Sequence, residues 1–518
     1  MRQKKHRTGY FASHYQKRLV IVALLFILCC QQVFVRPLYA SISLAETVNL
    51  ALQKNEGILL QKEVLNNVHG SFLQTRSLFD PVLSLSTGYS NDMLPAVMGP
   101  SSRSIVTSLS VSNLLPIGIT ITPAVSIKQI RLGSMASNQA QSGVTFDIPL
   151  FAGFGNNVSK TARDAAEIEY RAAGFGCYQA ATTGVYNTAA AYCDYLYAYL
   201  LLQVDHELTE SAEKQLHATQ ALAHADEIAF QRVDLARAYL ENSRATEQTA
   251  VLQLKAAWEL LLLSTGSRPS GREAPETPID FFPEPHPGVL GSLIDSTLLS
   301  DYALSHRSDL KALYLQKSAA VQRLEGSKNL LKPNVSLSLW AGYNSQISGT
   351  SFQDYVFSVT RNIPGTSVSA TITYTLPIGN NSAQSNYIQN MAAYETSLIN
   401  QEALARNVLS TVSLDVASVR NAIFVYEMSR KSAESYRRLK EGELKKFRMG
   451  MSSIFDLQTI SNNLASAEIQ LLGAKKTYAL AVLNLRYATG TLLKGNDELF
   501  TVEAKNLFTI PKLGEIAK

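Results

Sequence analysis

Cysteine is scarce in this chain. Four of the 518 residues are cysteine, and two of them, Cys29 and Cys30, sit in an apolar run near the N-terminus. Cys177 and Cys193 remain, sixteen residues apart in a stretch that reads as one helix. At 1.5 Å per residue they stand about 24 Å apart, whereas a disulfide needs Cα atoms within about 7 Å, so they cannot pair with each other. The eight histidines are scattered, and no cluster has metal-ligand spacing. There is no nucleophile motif and no glycine-rich phosphate loop. These absences argue against an enzyme and imply no cofactor and no metal.

Proline is missing from two long stretches, between Pro149 and Pro269 and between Pro377 and Pro511. Each stretch exceeds one hundred residues and is rich in Ala, Leu, Gln, Glu and Arg. A first hairpin helix of about 60–65 residues would be on the order of 90–100 Å long, far beyond an ordinary globular helix. An excess of charge is also lacking. The chain has 47 basic and 42 acidic residues, but seven of the basic ones and none of the acids lie in residues 1–40, which leaves the rest at −2. The overall basic balance therefore gives no reason to expect a nucleic-acid partner.

Those first forty residues read as a signal peptide. Arg2, Lys4, Lys5, Arg7, Lys17 and Arg18 precede Leu19–Cys30, twelve apolar residues in a row. That run is too short to span a bilayer as a helix but fits a signal-peptide core, with Ala40 as the expected cleavage point. The alternative is an uncleaved anchor. Leu28 stands where a lipoprotein signal wants a small residue, which argues against lipidation at Cys29.

What the sequence does contain is the same plan twice. Residues 51–81 and 303–333 align without a gap at an offset of 252: Ala51-Leu52 on Ala303-Leu304, Leu78 on Leu330, Pro81 on Pro333. Each copy then runs through strand-like sequence into a long proline-free helical stretch. Such a duplication suits a large symmetric object better than a compact enzyme. The domain organisation that follows is signal peptide 1–40, first repeat 41–266, Pro-rich linker 267–300, second repeat 301–495 and C-terminal tail 496–518. The linker reads as a surface connection. Ser43 and Glu46 form a capping box at the start of the first repeat, and Ser308 is expected to cap the matching helix of the second.

Several segments alternate. Val368, Ala370, Ile372, Tyr374 and Leu376 oppose Ser367, Ser369, Thr371, Thr373 and Thr375, and Ile119, Ile121, Val125 and Ile127 oppose Thr120, Thr122 and Ser126. Ile105, Leu109 and Val111 oppose Ser108, Ser110 and Ser112, and residues 82–90, 142–148, 335–343 and 355–360 behave similarly. An ordinary half-buried antiparallel sheet alternates in this way, and so does a transmembrane strand with a Ser/Thr face on a water-filled interior. Six or seven such segments are too few for one chain to close a barrel of about eight strands, and open edges do not survive in lipid, so a barrel would need several copies. The first copy holds 68 residues from Pro81 to Pro149 against 44 from Pro333 to Pro377, with a turn expected at Leu114–Gly118. In the second copy Leu457, Ile460, Leu464, Ala467, Leu471, Ala474, Tyr478, Ala481 and Leu485 keep a heptad spacing, the pattern of coiled-coil packing.

The chain resembles the TolC family of outer-membrane efflux proteins. The resemblance rests on Ser43–Leu52 and Ala303–Leu310 as opening helices, on Phe146–Gly155 and Leu376–Gly379 as strand-to-helix exits, and on Phe447–Leu457 as the turn of the second hairpin. It implies an α+β membrane protein with a TolC-like fold, a transmembrane β-barrel shared by a homotrimer, and a coiled-coil helical tunnel in the periplasm. It also implies outer-membrane lipid around the barrel, and a periplasmic adaptor protein and an inner-membrane transporter as partners. The cargo would be small toxic compounds or secreted proteins. In that pattern Gly450 marks the second hairpin turn, and Asp456 and Asp234 are acids at the periplasmic aperture. A departure is Ser452, where the family often carries a basic residue. The first hairpin's turn, expected over Glu227–Leu235, has no glycine. A type I protein-secretion duct and a non-channel periplasmic coiled-coil adaptor remain alternatives.

Overall fold

The computed structural model describes residues 41–92, 102–133, 135–267, 275–285, 295–360, 365–496 and 499–511. The expected signal peptide lies outside them. In chain order the first repeat comprises helices α1 (Leu44–Lys54) and α2 (Glu56–Arg76), strands β1 (Val82–Asp92), β2 (Ser102–Leu114), β3 (Thr120–Leu132) and β4 (Met135–Pro149), and helices α3 (Thr161–His224) and α4 (Gln231–Ser264). The second comprises α5 (Ser296–His306), α6 (Ser308–Asn329), β5 (Asn334–Ser348), β6 (Gly365–Thr375), α7 (Asn381–Arg448) and α8 (Ile454–Thr489). The first residues of α1, α2 and β1 are each separated from those of α5, α6 and β5 by the offset of 252 read in the sequence.

Local signals explain most of the boundaries. The Ser43 hydroxyl accepts from the Glu46 N–H while the Glu46 carboxylate accepts from the Ser43 N–H, the reciprocal capping box. The Asn55 side chain then accepts from the Gly57 N–H at 3.0 Å and opens α2. In the second repeat Asp295 takes the place of Ser43 and accepts from the Thr297 N–H at 3.0 Å. The expectation for Ser308 is corrected. It is the first residue inside α6, and its hydroxyl instead donates to the Gln179 side chain at 3.0 Å. The cap had to precede the helix start, and there the chain carries Arg307, whose guanidinium binds Asp309 and the Ala488 carbonyl.

The long helices are 64 residues in α3 and 68 in α7, about 96 and 102 Å at 1.5 Å per residue. Beside the sheet, α2, α3, α6 and α7 lie side by side in that order; towards the far end the row becomes α4, α3, α8 and α7. Seven of the nine heptad residues of α8 are buried, with Ile460 and Leu471 half-buried. Two apolar cores hold the row together at mid-height. One gathers Val48, Tyr192, Tyr195, Trp258 and Leu483, and the other Leu299, Val412, Val419, Val482 and Leu485. The described part of the linker, 275–285, is laced into this belt. Ser41–Ile42 pairs in parallel with Thr277–Pro278, and the Asp280 carboxylate accepts from the Leu44 N–H and the Tyr192 hydroxyl, both at 2.7 Å. Phe282 is buried against Cys193, Leu196, Leu472 and Ala479. Here the linker is more than a surface connection, because Phe282 completes a core that the helices leave open.

The six strands form one antiparallel sheet in chain order, β1 to β6. The repeats join where β4 pairs with β5. At that seam Gly143 faces Gly342, and a Cβ on Gly342 would stand 2.3 Å from the Ser142 carbonyl oxygen. Glycine here permits a backbone approach that no other residue allows, and the Trp340 ring lies against both glycines. The turn after β2 is where it was expected: the Leu115 N–H donates to the Ile119 carbonyl at 2.8 Å, with Gly118 at φ +90. The expected strand 355–360 is corrected. Phe352–Val356 is a short α-helix followed by a 3₁₀ turn, Phe357–Val359. A Ser351–Asp354 capping box starts that helix, and local capping overrides an alternation only six residues long.

Candidate functional site

Two zones have a geometry that bears on function: the faces of the sheet and the far tips of the helical hairpins. Registry across the sheet converts the alternation within each strand into stripes that cross several strands. Leu85, Leu109, Val125, Ser142 and Tyr343 are successive partners, as are Ile121, Phe146, Leu339 and Ala370. On the opposite face run Ser86, Ser108, Ser126, Gln141 and Asn344, and Thr120, Asp147, Ser338 and Thr371. Ser86 and Ser108 bridge their hydroxyls at 2.7 Å, as do Ser90 and Ser104. One face is thus apolar and the other hydroxyl-rich, with few ionisable groups between. The residues 349–358 fold back over one end of the apolar face, where the Tyr355 hydroxyl donates to Thr107 at 2.8 Å and the Gln129 amide donates to Asn138, also at 2.8 Å.

The two edge strands are open. All eleven residues of β1 are exposed, and in β6 Val368, Ile372 and Tyr374 are 79%, 69% and 61% exposed. Alternation in β6 was legible from the sequence, but its position as the last strand of the sheet was not.

At the hairpin tips the second turn is closed by a left-handed glycine. Gly450 has φ +70; its N–H donates to the Phe447 carbonyl, and the Met451 N–H donates to the Lys446 carbonyl at 2.9 Å. This is the Schellman arrangement. Sequence reasoning missed that the first hairpin uses the same device with a different residue. Asp226 has φ +57; its N–H donates to the Ala223 carbonyl, and the Glu227 N–H to the Leu222 carbonyl. The turn therefore occupies 225–230 rather than 227–235, because α4 already begins at Gln231. Aspartate tolerates the left-handed region better than most side chains, which is the signal that could have found it.

Asp456 lies in the first turn of α8 and completes a capping box with Ser453. Its carboxylate accepts from the Ser453 N–H at 3.2 Å and from the Ser453 hydroxyl at 2.7 Å. The Ser453 side chain, and then its backbone N–H, hold the Asp456 carboxyl below its ordinary value, so it is ionised at neutral pH. Asp234 occupies the corresponding first turn of α4 with a loose ion pair to Arg237 at 3.5 Å. Ser452 donates to the Glu443 carboxylate, which also pairs with Lys446 at 3.3 Å, and the Ser452 bond is the main reason the Glu443 carboxyl sits low. The two tips touch. The Arg232 guanidinium lies 4.8 Å from the centre of the Phe455 ring. That contact brings Asp234 and Asp456 to the same end of the molecule, each within two residues of it. No pattern along the chain points to the pairing, because the partners belong to different repeats.

The fold is that of outer-membrane channels. The chain superposes on the Campylobacter jejuni CmeC outer membrane channel with a TM-score of 0.64 at 16% identity, covering 86% of this chain and 85% of that one. The Vibrio cholerae outer membrane protein VceC gives 0.63 at 15% identity, covering 86% and 96%. The open-state Neisseria gonorrhoeae MtrE outer membrane channel gives 0.62 at 15% identity, covering 86% and 88%. Residues 299–491, most of the second repeat, match the outer membrane efflux protein family. No curated protein sequence matches it.

Proposed function

We propose that three copies of this chain form the outer-membrane exit duct of a tripartite export system, passing small toxic compounds or secreted proteins outward from an inner-membrane pump. One observation carries the reading: a six-stranded sheet with one apolar face, one Ser/Thr face and two open edges stands on helices about 100 Å long. In lipid an open edge leaves backbone groups without partners, so the edges must be paired by neighbouring copies. The apolar stripes then meet lipid and the hydroxyl stripes line water. The helices project into the periplasm, and their tips form the aperture, with Asp456 and Asp234 as rings of negative charge and Gly450 shaping the turn. The tips and the outer flanks of the hairpins are where a periplasmic adaptor would dock. A conduit needs a polar bore and a controllable constriction, not a catalytic group.

Membrane fractionation and planar-bilayer recording test this. The protein should leave the outer membrane only with detergent, run as a trimer by native mass measurement, and conduct ions. Recovery as a soluble periplasmic monomer would instead favour the coiled-coil adaptor reading.

A further inference from the structure

The two repeats contribute unequally to the sheet. The second supplies one hairpin, β5–β6, and the first supplies two, β1–β2 and β3–β4. The additional pair is built into the sheet. β1 pairs with β2 along its whole length, Val82–Asp92, and β2 pairs with β3 at both ends. The β2–β3 turn is locked to the root of α3: Gly155 donates to the Ile117 carbonyl at 3.4 Å, and the Ser159 hydroxyl donates to the Pro116 carbonyl. Any side chain at Gly118 would strike the Gly153 carbonyl, 2.6 Å from its Cβ. The alternation of faces also continues from β1 through β5, with Ser142 standing in the apolar row between Val125 and Tyr343 and Gln141 and Asn344 extending the row of serines on the polar face.

The helical row beneath the sheet is four helices wide, α2, α3, α6 and α7. At about 9–10 Å between axes it spans about 38 Å of wall. A strand spaced about 4.8 Å from its neighbour and tilted about 40° takes up about 6.3 Å of barrel circumference. Six strands therefore span about 38 Å, and four would span about 25 Å. With the extra hairpin, sheet and helical wall have equal girth.

We infer that the first repeat's additional hairpin brings the shared barrel to eighteen strands, so that barrel and tunnel have the same width and size selection falls to the helical tips alone. This rests on the duct reading above. Barrel diameter grows about linearly with strand number. Eighteen strands give a backbone diameter of about 36 Å, about 1.5-fold that of a twelve-stranded barrel. The outer-membrane segment would then admit cargo as large as the tunnel delivers, folded small proteins included.

Electron cryo-microscopy of the full chain in lipid nanodiscs decides the matter by counting strands across the barrel. Eighteen is expected; a trimer with any other number overturns the inference and leaves the duct reading standing. A soluble monomer overturns both. Disulfide trapping gives a second readout on where the seam lies. Ser84→Cys, Ser86→Cys or Ser90→Cys on β1, each combined with Thr371→Cys on β6, should yield covalent trimers in at least one combination. If Thr120→Cys, Thr122→Cys or Ser126→Cys on β3 links to Thr371→Cys while no β1 position does, then β1 and β2 lie outside the barrel and the inference fails.

Discussion

Asp456 serves as a helix cap, and the aperture reading gives it a second role as a charge; the two can be separated. Ser453→Ala removes the hydroxyl that accepts from the Asp456 N–H at 3.2 Å but leaves the carboxylate in place. Losing a Ser cap costs about 1 kcal/mol, and three copies are lost per trimer, so the melting temperature should fall while ion selectivity is kept. Asp456→Asn does the reverse. The amide can still accept from the Ser453 N–H, so most of the cap survives, but the charge goes. A carboxylate about 6 Å from a passing monovalent ion contributes about 1.2 RT in water. Three contribute about 3.5 RT, which screening at 0.15 M salt roughly halves. The cation gains this energy and the anion loses it, so cation-over-anion preference should fall about thirtyfold, and about tenfold further in 0.01 M salt, where screening is weak. Reversal potentials of single channels in asymmetric KCl measure this directly. If Asp456→Asn leaves the reversal potential unchanged at low salt, the carboxylates do not face the ion path. If Ser453→Ala alters selectivity as much as Asp456→Asn does, selectivity follows the tip's shape rather than its charge.

Three further outcomes are expected. Ile372→Arg should destabilise the trimer by about 2–4 kcal/mol if the site lies near the membrane midplane, whereas Thr373→Arg on the hydroxyl face should change conductance with far less loss; equal effects in heated-gel trimer assays would contradict the face assignment. Phe455→Ala removes the ring under Arg232; at about 0.5–1 kcal/mol per contact at an exposed site, loss of all three should raise the open probability about tenfold or more in planar bilayers, and an unchanged closed time would show that the tips are held elsewhere. Asp415 is buried on α7 with one carboxylate oxygen lacking a hydrogen bond, and burial pushes its pKa up to about 6. The folded protein then holds a proton that the unfolded chain releases near pH 4, so stability is lost as pH rises from about 4 to 6 and stays lost above. Asp415→Asn should raise stability at pH 7.5 by on the order of 2 kcal/mol and make little difference at pH 4, as thermal melts at the two values would read.

Much of this architecture was legible in the residues because it is encoded locally. The offset of 252 is a property of order along the chain, and it returned in the starts of α1, α2 and β1. Proline-free length marked α3 and α7, since one proline would have broken either helix. Heptad spacing marked the buried face of α8, and strict alternation found the strands, apart from residues 355–360, where too short a pattern met a capping box.

What the sequence could not carry is which distant pieces meet. The seam between β4 and β5, the contact of Arg232 with Phe455, and Phe282 sealing the gap beside Cys193 all join residues far apart in the chain. Asp226 was hidden for a different reason: its left-handed backbone is fixed by two hydrogen bonds to the preceding helix, and nothing in an aspartate's identity requires it. The sequence by itself determined the lengths, faces and twofold plan of the elements, because periodicity and capping act within a few residues. Only the tertiary structure decided the strand order, the open edges and the pairing of the tips, because those depend on backbone and side-chain partners that the chain brings together only when it closes on itself.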